Sequence, residues 1–114
     1  MRKILALSAL LLPLTCAAFS VNGDKVGFVV RGSGTTSCGK FVEIFQRGDH
    51  LQDSSWLNGY LTAINRYIDT GVRDIAGDAD RAALMLWIYN YCNNNPLDAV
   101  SDAAHQLFRH LMGQ

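Results

Sequence analysis

Two cysteines constrain this chain more than any other feature. Of its three cysteines, Cys16 lies in an N-terminal leader, and Cys38 and Cys92 lie beyond it. The leader reads "MRKILALSALLLPLTCAAFS". Arg2 and Lys3 form a basic start, Ile4 to Leu12 an apolar stretch, and Cys16-Ala17-Ala18 a small-residue exit. That order is the pattern of a secretory signal peptide cut after Ala18. A lipidated Cys16 is the competing reading, but Pro13 and Thr15 suit a lipid site poorly. Export places the mature chain in the oxidising periplasm, where an even pair of cysteines reads as a disulfide. A bridge closing a loop of roughly 55 residues contributes about 4 kcal/mol in the chain-entropy picture. Small domains have only about 5–15 kcal/mol of stability in all. The same two residues make a weak metal signature, being far apart with no clustered histidine.

With the leader removed, 8 basic residues stand against 10 acidic ones, a net charge of −2. No basic patch suggests nucleic acid. The longest apolar run of the mature chain, Leu84 to Tyr89, is far too short for a stable membrane span.

Residues 19–35 read as an extended arm carrying the apolar run Val26–Val30, followed by a short flexible linker at "GSG". Residues 36–114 read as one all-α domain of four short helices. Thr36 or Ser37 caps the first, with Cys38 in its opening turn, Phe41, Ile44 and Phe45 on one face, and Gly48 at its end. Asp53 or Ser54 starts the second, whose apolar stripe is Trp56, Tyr60, Ala63, Ile64, Tyr67 and Ile68, with Gly71 as a left-handed cap. Gly59 inside that helix costs up to about 1 kcal/mol against alanine, which implies close packing of another helix upon it. After the loop 71–77, Asp78 caps the third helix. From Ala82 to Cys92 it is apolar nearly all round, the pattern of a helix buried on most sides. "NNNP" breaks the chain. Asn95 and Pro96 open the fourth helix, with Leu97, Val100, Ala104, Leu107, Phe108 and Leu111 facing the core. The bridge thus staples helix 1 to the end of helix 3. Phe41, Phe45, Trp56, Tyr60, Trp87 and Tyr91 are the residues expected to form the core or a partner surface. A Trp/Tyr/Met ligand pocket is the competing reading for helix 3.

The chain carries no G-x-S-x-G elbow and no H-E-x-x-H motif. Asp98, Asp102 and His105 share a helix face at i, i+4 and i+7, which a weak divalent site could use, but a solvated face opposite an apolar stripe explains the same residues and is the preferred reading. No catalytic residue, cofactor or metal is expected.

The elements "TSCGKF" (Thr36–Phe41), "SWLNGY" (Ser55–Tyr60) and "YCNNNPLDAV" (Tyr91–Val100), behind a signal peptide, resemble the HdeA/HdeB group of small periplasmic acid-stress proteins. That pattern has a cysteine opening the first helix with an aromatic residue three positions on. A tryptophan-bearing second helix follows, and a second cysteine closes an apolar helix before a Pro-containing break. The resemblance implies an all-helical, non-enzymatic protein with a Cys38–Cys92 bridge. It also implies that the chain binds proteins, either unfolding clients in acid or a second copy of itself. The lysine-rich C-terminal region of those chaperones has no counterpart in "HQLFRHLMGQ". The W-x-x-G-Y element also resembles the Tai-type immunity proteins of type VI secretion, which implies the alternative of one cognate effector bound and blocked. Acid would carry the mature chain from −2 to about +11 at reference pKa values, enough to strain an interface by self-repulsion.

Overall fold

A computed structural model describes residues 27–113. The leader, Cys16 and the first part of the arm, residues 19–26, lie outside them. The described chain is all-α, with four helices: α1 (Cys38–Gln46), α2 (Leu51–Tyr67), α3 (Arg81–Asn94) and α4 (Val100–Leu111). A 3₁₀ turn, Gly32–Thr35, precedes them. Among the described residues no strand forms. One isolated antiparallel bridge joins Ser37 to Ala99.

The disulfide forms where the cysteine count places it. Cys38 opens α1, Cys92 lies in the last turn of α3, and their Cα atoms are 4.6 Å apart. Both are fully buried, at 0% exposure, beside Phe41, Ile88 and Val100. The backbone reinforces the staple. Ser37 caps α1, its Oγ accepting from the Lys40 N–H at 3.2 Å. The Cys38 and Gly39 N–H groups donate to Asp98 O (2.7 Å) and Pro96 O (3.0 Å), and Val100 N–H donates to Thr36 O (2.9 Å). The opening N–H groups of a helix have no partner within it; here the loop before α4 supplies two.

That use of the loop explains where the fourth helix departs from expectation. It starts at Val100, with Asp102 Oδ2 accepting from the Ala99 N–H at 2.8 Å, and not at Asn95–Pro96. Asn95 closes α3 instead, its side-chain amide donating to Tyr91 O at 2.9 Å. Leu97, expected in the core, falls in the turn and is 98% exposed. Val100, Ala104 and Leu107 are buried as expected, along with Ala103.

The second helix starts a turn earlier than Asp53 or Ser54. Gly48 takes a left-handed φ of +73°, the Asp49 N–H returns to Ile44 O at 3.1 Å, and α2 begins at Leu51 with both polar residues buried inside its first turns. Its buried side is Leu57, Leu61 and Ile64, so the expected stripe is rotated: Ala63, Tyr67 and Ile68 are exposed. Gly71 is left-handed as expected, but it sits in the following turn, because Ile68 already ends the helix in an extended conformation. The loop after it is pinned by Asn65, whose Oδ1 accepts from the Ile75 N–H at 2.8 Å and whose amide donates to Asp74 at 3.0 Å. Ile75 is thereby buried.

Asp80, not Asp78, caps α3, accepting from the Ala83 N–H at 2.8 Å. This helix is not buried on most sides. Leu84, Met85, Ile88 and Cys92 face the core, whereas Ala82, Ala83 and Leu86 are exposed and Trp87, Tyr89 and Tyr91 half-buried. Its main packing neighbours are α1 and α4, too few to surround it. The expected linker is also corrected. "GSG" is built into the body as the 3₁₀ turn, lying against α2 and α4.

Replacing both Cys38 and Cys92 by alanine should lower the unfolding free energy by about 4 kcal/mol, read from urea or guanidinium midpoints. Because both sulfurs are buried, dithiothreitol should reduce the bridge in the native protein only as fast as the protein opens. A double variant within 1 kcal/mol of wild type would show that the helices hold the fold without the staple.

Candidate functional site

The six aromatic residues singled out in the sequence do not form one surface. Phe41 is wholly buried, and Phe45 stacks between His50 (4.6 Å) and Tyr89 (4.5 Å) to join α1, the residue that precedes α2, and α3. Trp87 and Tyr91 lie nearly parallel on α3 at 5.9 Å, with His110 of α4 at 5.5 Å from Trp87. Trp56 and Tyr60, stacked at 5.6 Å, lie on a different face, toward the N-terminal arm. This last pair borders a substantial apolar hollow. Stacked aromatic pairs contribute about 0.5–1.5 kcal/mol beyond simple burial, so the Phe45 and Trp87 groups also tie elements together, whereas Trp56 and Tyr60 share one helix.

The hollow is a groove of about 580 Å³, open on one side. Trp56, Gly59 and Tyr60 of α2 form one wall, Ser101, Asp102 and His105 of α4 the other, and Phe28–Arg31 of the arm a third. The arm is held there by the Trp56 indole, whose Nε1–H donates to Arg31 O at 2.7 Å. Gly34 is buried directly against the same ring, and a Cβ at position 34 would fall inside the indole. Phe28 stands 85% exposed at the groove's edge, with Val29 exposed beside it.

Gly59 was expected beneath another helix. Instead a Cβ built there meets nothing within 4 Å, because the glycine lines the groove. Burial among these apolar walls pushes the Tyr60 hydroxyl above the ordinary phenol value. Sequence reasoning missed the arm residues and Ser101 as groove walls. The costly glycine between two aromatic residues was the signal, and it pointed to open space and not to a neighbour.

Asp98, Asp102 and His105 do separate work. Asp98 Oδ2 accepts from the Tyr91 hydroxyl at 2.5 Å, Asp102 caps α4, and His105 lines the groove. Among the described residues no group of three His, Cys, Asp or Glu side chains is placed to hold a metal ion. Lys40 and Glu43 form an exposed pair at 3.0 Å on α1, and that hydrogen bond holds the Glu43 carboxyl below its usual range. Asp53 differs from all of these. It is only 4% exposed, and burial raises its carboxyl above the usual range despite a hydrogen bond from its own backbone N–H.

Fold and groove together define a small, disulfide-stapled helical domain with an aromatic cleft. No helix among the described residues is long and apolar enough to cross a membrane. The chain matches no family model, no curated protein and no solved structure.

The hydrogen bond to Asp98 pushes the Tyr91 hydroxyl up to about 12. A phenol held above its unfolded value of about 10 contributes stability that is full below pH 10 and is lost as pH rises through 12. Ultraviolet titration should therefore show a late step distinct from the rise at Tyr60, and Tyr91→Phe should remove that step. A full set of tyrosines titrating near pH 10 in the native protein would contradict the bond.

Proposed function

We propose that this chain is a non-enzymatic, exported binding protein whose groove between α2 and α4 takes extended apolar segments of other proteins, in the manner of the HdeA/HdeB group. The observation that carries this reading is Gly59. A glycine within a helix is unfavourable by about 1 kcal/mol relative to alanine. Here no packed neighbour requires it, and its bare backbone lies between Trp56 and Tyr60 on the wall of an apolar groove. A missing side chain at that point leaves room for a bound chain to approach closely. Aromatic walls with a few polar groups at the rim, here Ser101, Asp102 and His105, are the usual composition of binding clefts. Periplasmic acid-stress chaperoning is the finer form of the proposal. It rests on the resemblance and on the large gain of positive charge that acid would bring.

One observation favours the second reading, a dedicated partner of immunity type. The W-x-x-G-Y element, Trp56 to Tyr60, is itself one wall of the groove. One cognate effector inserting a loop there would use the same residues as a promiscuous client. A pull-down from periplasmic extract at neutral and acid pH separates the two. Several unrelated proteins point to the chaperone, and one tight complex to the dedicated partner.

Gly59→Ala should stabilise the protein by up to about 1 kcal/mol, because the added methyl meets nothing. Gly59→Leu should fold equally well but fill the groove. It should abolish binding of an apolar fluorescent dye and of captured proteins, and lose any suppression of client aggregation. Unchanged binding in a folded Gly59→Leu protein would remove the groove from the function.

A further inference from the structure

The arm that walls the groove is seated over a buried carboxyl. Asp53 lies in the first turn of α2, one turn before Trp56 and two before Tyr60, on the side covered by the 3₁₀ turn. It is the sole buried charged side chain among the described residues, and its Oδ1 is sealed from solvent with no hydrogen-bond partner. Ser33 of the 3₁₀ turn faces it, and its hydroxyl offsets part, though not all, of the cost that burial places on the carboxylate. The Ser33 Oγ–H makes only a long bond, 3.5 Å, to Gln52 O. Directly above, Gly34 rests on the Trp56 ring and Arg31 O takes the indole N–H. Turn, indole and carboxyl thus form one assembly joined through the turn, and the groove's third wall depends on its staying closed.

A buried carboxylate oxygen without a partner is costly, and the cost falls on the charged form. Its place near the positive end of α2 offsets part of this. We propose that Asp53 makes the arm's seat acid-tightened: the neutral carboxyl favours the 3₁₀ turn closed on α2, and the carboxylate favours it lifted. The linkage has a definite sign. The closed seat holds the proton more tightly than the lifted one, where water reaches the carboxyl, so lowering pH drives closure. The raised Asp53 carboxyl agrees with that direction.

Other charged groups surround the assembly. Asp49 and His50 precede Asp53 on its own side, and the His50 charge favours the carboxylate while Asp49 opposes it. Lys40 and Arg47 border the same surface from α1 and its end. Arg31 is on the arm itself, and Asp102 and His105 face Trp56 from α4 across the groove. Asp53 lines one open hollow with Lys40, Arg47 and Asp49, while its Oδ1 alone is closed off from solvent. The inference concerns regulation of the groove proposed above, but it stands on the seat alone. The groove would keep its third wall in acid, when an acid-responsive binder would need it.

The test follows the Trp56 indole N–H by proton NMR from pH 7 to pH 3 in the intact chain, with Trp87→Phe making the assignment. In the parent protein the resonance should move with one midpoint above the ordinary aspartate value. Its solvent exchange, corrected for intrinsic rate, should slow by up to about tenfold for each unit by which closure raises that midpoint. Asp53→Asn should hold the resonance at its acid position throughout, and His50→Gln and His105→Gln should leave the transition in place. Exchange that quickens in acid, or an Asp53→Asn protein that titrates like the parent, overturns the proposal. Direct carbon NMR titration of the Asp53 carboxyl needs no variant, and a midpoint at or below the ordinary value overturns it as well. No groove ligand enters the measurement. A closed groove that binds nothing would count against the function and leave the seat standing.

Discussion

The bridge between Cys38 and Cys92 is the constraint from which the remaining geometry follows. It places the start of α1 against the end of α3, and three backbone hydrogen bonds from residues 38, 39 and 100 sew the adjoining loop into the same knot. With those ends fixed, α3 has α1 and α4 as its main neighbours, and α2 packs mainly through the 3₁₀ turn and α4. This arrangement leaves one flank of α2 uncovered by any helix, and there the groove opens. A small domain that buries limited apolar surface depends on such a covalent tie, and the same tie leaves part of its aromatic surface uncovered.

What could be read from the sequence follows the range of the interactions involved. The cysteine pair, the Ser37 cap and most of the apolar faces of α1 and α4 are local patterns or simple counting, and the structure contains them, with Ile44 and Leu97 as the exceptions. The errors arose where a residue's partner lies far along the chain. Asn95 and Pro96 carry the local marks of a helix start, but the loop's carbonyls are engaged by the N–H groups of Cys38 and Gly39, so α4 waits until Val100. Asp53 and Ser54 have the chemistry of caps, yet the turn at Gly48 brings α2 in earlier and seals them inside.

The candidate site was legible in its residue types and not in its grouping. Trp56 and Tyr60 stood out as a stripe with Gly59 between them, and their helical spacing placed them correctly on one face. Nothing in the spacing shows that Trp87 and Tyr91 belong to a different face of the molecule, since that depends on how α2 and α3 are arranged in space. The "GSG" segment after the arm was read as a linker because glycine and serine are permissive. Its order comes from one aromatic ring that accepts Gly34 against its plane and donates to Arg31, a contact with no sequence period.

The staple also has a mechanical consequence. Cys38 and Cys92 divide the described chain into two short ends and one covalently closed loop that contains nearly all of α1, the whole of α2 and most of α3. Tension applied at the two ends passes through the sulfurs and bypasses that loop. Pulling can strip the arm from Trp56 or peel α4 away, but it cannot draw out α2 while the bridge is oxidised. The groove's aromatic wall therefore sits on the shielded part of the molecule, and its other two walls sit on the parts that yield to load.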